Sequence, residues 1–198
     1  TLFRSRTLHL PTAPGDAGRV SALAMDPEAR WFVAGGFTAP TGLLQHLYVF
    51  ERATGRLLHV LPTGTTVPAV AVSAEGDRLA VGLCCDAGVR VLDTRTWTEV
   101  GARRDLPGAV YGLDFAADGR LAVAADGGAF GVYDRDLNVV SEHRYQDRTQ
   151  PFEIAFSPRG DRLAIGYADR AEVRVVDAAT LRRLHQFQLS GGNVANVA

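Results

Sequence analysis

The sequence predicts an all-β fold of repeated four-stranded antiparallel meanders, and three observations predict it. Similar runs follow a turn four times: Arg30-Trp31-Phe32-Val33-Ala34-Gly35, Asp77-Arg78-Leu79-Ala80-Val81-Gly82, Gly119-Arg120-Leu121-Ala122-Val123-Ala124 and Asp161-Arg162-Leu163-Ala164-Ile165-Gly166. Their equivalent apolar residues Phe32, Leu79, Leu121 and Leu163 lie 47, 42 and 42 residues apart. An acid closes a later run in every repeat, Glu51, Asp93, Asp134 and Asp177, at intervals of 42, 41 and 43 residues. A period of this size in a β-rich chain marks stacked repeats and points to the blades of a β-propeller.

Period-two alternation divides each repeat into four strands. Strand a covers 20–25, 67–72, 110–115 and 151–156; strand b is the run quoted above; strand c covers 47–51, 89–93, 130–134 and 173–177. Strand d is the amphipathic stretch that follows, such as 56–61 and 182–187. The a–b turns read Asp26-Pro27-Glu28-Ala29, Ala74-Glu75-Gly76-Asp77, Ala117-Asp118-Gly119 and Pro158-Arg159-Gly160-Asp161. Gly accepts positive φ and Pro presets its own, so these residues suit tight turns. An Asp at the end of strand c is expected to bond the backbone that follows and close the c–d turn.

These residues resemble the WD-repeat family, in which strand c ends in Trp-Asp and a Ser-Pro-Asp-Gly-like turn joins strands a and b. The resemblance runs from about Thr7 to the end and is of the degenerate bacterial type. Phe50, Leu92, Tyr133 and Val176 stand where the family has Trp, and the Gly-His pair before strand a is absent from all four repeats. The resemblance implies a propeller that recruits partners through a rim or face, often fused to a signalling, ATPase or protease-like domain.

The blades are expected at 20–66, 67–109, 110–150 and 151–193. Arg6-Thr7-Leu8-His9-Leu10-Pro11 matches Arg56-Leu57-Leu58-His59-Val60-Leu61-Pro62, and Val194-Ala195-Asn196-Val197-Ala198 resembles Val20-Ser21-Ala22-Leu23-Ala24. Segments 6–11 and 194–198 are therefore expected to be strands of neighbouring blades, leaving an open arc of a seven-bladed ring. Thr1 to Ser5 reads as the translated end of a sequencing adapter, a non-native or disordered scar on a fragment.

Net charge is −1 with both signs interspersed, so neither nucleic acid nor an anionic membrane is expected as a partner. No apolar stretch approaches the roughly 20 residues of a spanning helix. Cys84 and Cys85 are adjacent, which makes a bridge between them awkward, and they read as small, half-buried residues. With no disulfide framework the chain favours a reducing compartment such as the cytoplasm. His9, His59 and His185 repeat one outer position on different blades and do not converge on an ion; His143 is also on a strand d.

Enzymatic propellers gather carboxylates or His where their inner strands enter the channel. Here the strand-a starts are preceded by Arg19, Thr66, Ala109, Gln150 and Asn193. Glu153 and Asp114 are the acids within strands a, expected to be isolated polar residues rather than a dyad. No catalytic residue, cofactor site or metal site is assigned. Tyr111 and Phe152 share an early strand-a position and are expected to wedge blades together.

What remains is surface. Nineteen residues separate Phe32 from Glu51, against 14 from Leu79 to Asp93 and 14 from Leu163 to Asp177, so the first b–c loop is enlarged. That loop supplies Phe37, Leu43, Leu44 and His46 as candidate partner contacts, with a folded-over insertion as the alternative. Tyr145, Arg148, Tyr167, Asp169 and Arg170 are expected on the same face, where Tyr and Arg act as interface anchors. The reading is a non-catalytic interaction or regulatory platform binding a protein or peptide, alongside the remaining blades of its ring. The alternative is part of a lactonase-like or quinoprotein-like hydrolase or oxidoreductase whose catalytic residues lie in other blades.

Overall fold

Alternation of apolar and polar residues, broken by Asp, Gly and Pro, gives sixteen short strands in the computed structural model, which describes residues 19–39, 44–147 and 149–188. The first blade holds β1 (Arg19–Met25), β2 (Trp31–Phe37), β3 (His46–Glu51) and β4 (Leu57–Pro62). The second holds β5 (Ala69–Val72), β6 (Arg78–Gly82), β7 (Val89–Asp93) and β8 (Thr98–Arg103). The third holds β9 (Val110–Phe115), β10 (Leu121–Ala125), β11 (Ala129–Tyr133) and β12 (Val139–Arg144). The fourth holds β13 (Pro151–Phe156), β14 (Arg162–Tyr167), β15 (Glu172–Asp177) and β16 (Arg183–Gln188).

Each blade is one four-stranded antiparallel meander in sequence order. The innermost strands meet in succession, β1 with β5, β5 with β9 and β9 with β13, and no comparable contact joins β13 to β1 among the described residues. The expected four-bladed open arc is therefore the observed fold. The expected end strands 6–11 and 194–198 and the segment 1–5 lie outside the described residues. Among the described residues no helix is long and apolar enough to cross a membrane.

The core sits between blades, and strand b shows why. In the second, third and fourth blades its alternate residues are small on one side and large on the side facing the preceding blade, whereas the first blade turns Trp31 and Val33 toward the second. Ala80 of the second blade packs with Leu121 and Val123 of the third; Ala122 and Ala124 of the third pack with Leu163 and Ile165 of the fourth. A Cβ at Gly82 would lie 2.6 Å from the Val110 carbonyl oxygen, so glycine lets the blades converge near the hub. Main-chain bonds cross the same seams, Val67 N to Gly36 O at 3.3 Å and Val110 N to Leu83 O at 3.1 Å.

The c–d turns close as their acids predict, with one exception. Asp93 Oδ1 accepts the N–H groups of Arg95 and Thr96, Asp134 Oδ1 those of Asp136 and Asn138, and Asp177 Oδ1 those of Ala179 and Thr180. Glu51, one methylene longer, is bonded by the Thr54 hydroxyl instead. The turn residue whose N–H returns to the carbonyl of the acid has positive φ, and Gly55 supplies it in the first blade at 74°. In the other three blades Trp97, Leu137 and Leu181 adopt φ of 58°, 64° and 55°. Strain of about 1–2 kcal/mol per residue is offset by packing on the preceding blade. Trp97 stands edge-on to Trp31 with centroids 5.1 Å apart, and Leu137 fits against Gly101.

Strand boundaries shift from expectation by one or two residues in most strands, and two of the shifts have a local cause. The second inner strand starts at Ala69 rather than Val67, because Pro68 has no N–H to give to the ladder. The third strand c runs Ala129–Tyr133, leaving Asp134 in the turn it closes.

Candidate interaction face

Antiparallel meanders put the b–c and d–a loops on one face of the arc, and most of the candidate contacts fall there. In the first blade Phe37 ends β2 and is half-buried. Beyond it the loop is clamped at its base by Gln45, which is 4% exposed. Gln45 Oε1 accepts from Thr38 N at 2.7 Å and Ala39 N at 2.9 Å, while its Nε2 donates to Ala39 O at 2.8 Å. Thr38 adds a reciprocal pair with the His46 backbone, donating to its carbonyl at 3.0 Å and accepting from its N–H at 2.9 Å. Leu44 projects from this clamp 63% exposed, and Leu43 lies outside the described residues. His46 is half-buried on β3, its ring 6.2 Å from Tyr48.

Near the fourth blade the structure builds a bonded cluster rather than free anchors. Tyr167 is 0% exposed and offers no surface, which corrects the expectation of a partner contact. Its hydroxyl lies 2.9 Å from that of Tyr145, which accepts from Arg174 Nη1 at 2.8 Å. Burial, reinforced by that hydroxyl pairing, pushes the Tyr167 phenol far above its usual range. Arg174 lies over the Tyr167 ring at 5.0 Å and is ion-paired with Glu172, itself 4% exposed. Arg170 bonds Asp169 and Thr149 Oγ1, and Asp169 Oδ1 accepts from Gln150 N at 3.1 Å. Arg170 and Asp169 thus join two loops, and Arg148 lies outside the described residues.

Arg174, Glu172 and Gln45 were missed in the sequence. Arg174 and Glu172 lie in an ordinary alternating strand, and Gln45 gains its role from reach across a loop. No periodic signal marks any of them.

At the hub, three inner strands carry a register irregularity at one place, leaving Ser21, Tyr111 and Phe152 out of the ladder. Bulges re-aim side chains. Here Tyr111 and Phe152 stack across the seam with centroids 4.2 Å apart, the wedge their shared position suggests. Asp114 and Glu153 lie on adjacent inner strands, β9 and β13. Burial, with the nearby Asp114 charge, raises the Glu153 carboxyl to about 7. Asp114 is raised by burial and its Oδ2 accepts from Phe156 N at 2.7 Å. Among the described residues no three His, Cys, Asp or Glu side chains group as metal ligands.

The cysteines are free: Cys84 is half-buried, its thiol raised to about 11 chiefly by burial. Cys85 is exposed rather than half-buried, because its φ of 64° turns it out of the strand path.

No protein-family model matches the chain, and no curated protein matches it. Its structure is similar to the β-propeller domain of Cps50 (Swd1) from Myceliophteria thermophila, with a TM-score of 0.71 and 15% identity over 91% of this chain. The fold is that of a β-propeller. The propeller segment spans 58% of that solved chain. Because 1489 solved chains match, the architecture fixes the scaffold and leaves function to particular side chains.

Proposed function

We propose that this propeller segment is a non-catalytic platform for a protein or peptide partner, within a larger WD-repeat-like ring of seven blades. The observation that carries the reading is the clamped loop of the first blade. Gln45 and Thr38 fix its base while Leu44 stands 63% exposed, an arrangement that holds an apolar side chain toward solvent instead of folding it away. Phe37, His46, Tyr145, Asp169 and Arg170 border the same face, with Leu43 and Arg148 as further members. Net charge of −1 supports a protein partner over nucleic acid or an anionic membrane. The reducing cytoplasm fits two unpaired thiols. Further blades of the ring are the natural cover for Leu23 and Met25, 66% and 52% exposed on the outer side of the first blade.

Selection of displayed peptides against the 198-residue chain tests this reading. Binders are expected whose affinity drops about tenfold or more with Leu44→Asp, the size of effect of losing one good apolar contact and adding a charge. An exhaustive selection that yields no binder sensitive to either loop of this face overturns it.

A catalytic ring is the second reading, and one observation favours it: Asp114 and Glu153 stand on adjacent inner strands, with Glu153 raised to about 7. Such a group holds a proton to lend near neutral pH. Ester or lactone hydrolysis abolished by Glu153→Gln would establish this reading, and turnover unaffected by that change would remove it.

A further inference from the structure

The outer seams between blades differ in charge. Between the first and second blades a cleft of about 230 Å³ is lined by Leu47, Leu61, Leu92 and Trp97, and its one cation, Arg90, is neutralised by Glu99 at 2.6 Å. Between the second and third, Arg103, Asp105, Glu142 and Arg144 interlock, with Arg103–Asp105 at 2.6 Å and Arg144–Glu142 at 2.7 Å. Both seams balance their charges internally.

The third seam leaves one arginine over. A cleft of about 320 Å³ opens between the third and fourth blades, with Phe130, His143, Tyr145, Arg174, Leu181 and Arg183 among its lining and no carboxylate in it. Glu172 is buried beside it and neutralises Arg174 from outside the lining, as Glu99 does Arg90, so the surplus cation is Arg183. Arg183 is exposed, and its guanidinium donates to the neutral amide oxygen of Gln186 at 2.6 Å. Among the described residues Arg183 pairs with no acid. The His143 and Tyr145 rings stand edge-to-face at 4.5 Å, and His143 lies 5.4 Å from Phe130. Arg174 is held in place by Glu172 and the Tyr145 hydroxyl, so one cation is preorganised and the other is free to close on a ligand.

We infer that the cleft between the third and fourth blades binds an acidic peptide segment, with an Asp or Glu carboxylate against Arg183 and Arg174 and an adjoining apolar side chain over Phe130 and Leu181. Guanidinium forks match carboxylates in geometry, and aromatic walls supply contact area at little entropic cost. A volume of this size holds one or two side chains rather than a folded domain, and two arginines make a point of charge rather than the stripe a nucleic acid requires. This rests on the reading of the arc as an interaction platform and places one partner contact on the rim rather than on the loop face.

Fluorescence anisotropy with the full chain tests the assignment, using a labelled peptide of alternating Glu and Leu or Phe and a second peptide in which every Glu is Gln. The acidic peptide is expected to bind, and to bind about tenfold or more weakly to Arg183→Glu, a charge reversal at an exposed side chain outside the core. The Gln peptide is expected to lose at least as much. Matching thermal melts of wild type and Arg183→Glu guard against a folding effect. Equal affinity of wild type and Arg183→Glu, or of the two peptides, overturns the assignment, as does failure of the acidic peptide to bind. Binding lost with Leu44→Asp but retained with Arg183→Glu overturns the cleft while sparing the platform.

Discussion

Leu23 and Ile154 occupy one position on two inner strands, each opposite the fourth residue of its strand b, Ala34 in the first blade and Ile165 in the fourth. Leu23 is 66% exposed and Ile154 1%, with Leu113 between them at 8%. Neither sheet geometry nor residue type separates them. The difference is the blade in front: the third blade covers Ile154, the second covers Leu113, and no described blade precedes Leu23. Burial in such an arc is a nearest-neighbour property of the stack rather than of the meander itself.

Truncation should break this equivalence most visibly. Ile154→Ala is expected to destabilise by about 2–5 kcal/mol through lost burial and a residual cavity, whereas Leu23→Ala should fall within about 0.5 kcal/mol. Urea unfolding of the two variants compares them directly, and equal losses would mean that the first blade is covered as fully as the fourth.

The next contrast concerns the opposite side of the inner strands. Ala22, Ala69 and Gly112 sit across from Gly35, Gly82 and Ala124, and Glu153 sits across from Gly166 in their place. The folded-state value of Glu153, about 7, exceeds the ordinary 4.5 of a free Glu. The folded protein therefore keeps a proton that the unfolded chain releases. Its stabilising contribution is complete below pH 4.5 and is lost as pH rises through 7. Allowing for solvent screening, the loss amounts to about 2 kcal/mol, and Glu153→Gln should flatten that part of a Tm-against-pH curve. A decline that persists in Glu153→Gln belongs to another group.

The smallest effect separates the turns. Asp177→Ala removes two acceptor contacts to turn N–H groups and should lower Tm by a few degrees, whereas Glu51→Ala removes a contact to a side-chain hydroxyl and should lower it less. Calorimetric melts rank the pair, and a larger loss at Glu51 would show that the turn rather than its acid sets the order.

Much of the fold was legible because meanders are local. The Leu-Ala-Val-Gly alternation of strand b states both its two-residue period and which side faces the preceding blade, and the Asp closing strand c states its turn. Trp97, Leu137 and Leu181 were less legible: each puts a bulky residue where glycine is the conformational choice, and only contact with the neighbouring blade explains it. The candidate face was legible as loops but not as contacts. Tyr167 reads as a loop-edge anchor, yet its side chain turns inward to the Tyr145 hydroxyl, and Arg170 is engaged in bridging loops.

The amino-acid order alone determined four antiparallel meanders, their turns and the sidedness of their strands, because each of these depends on residues within a few positions of one another or on a fixed repeat. The tertiary structure decided which equivalent residues are buried, that Asp114 and Glu153 come to lie on adjacent inner strands, and that one rim cleft carries an arginine paired with no described acid. Those outcomes depend on how separate blades abut, and residues about forty positions apart meet only when the stack forms.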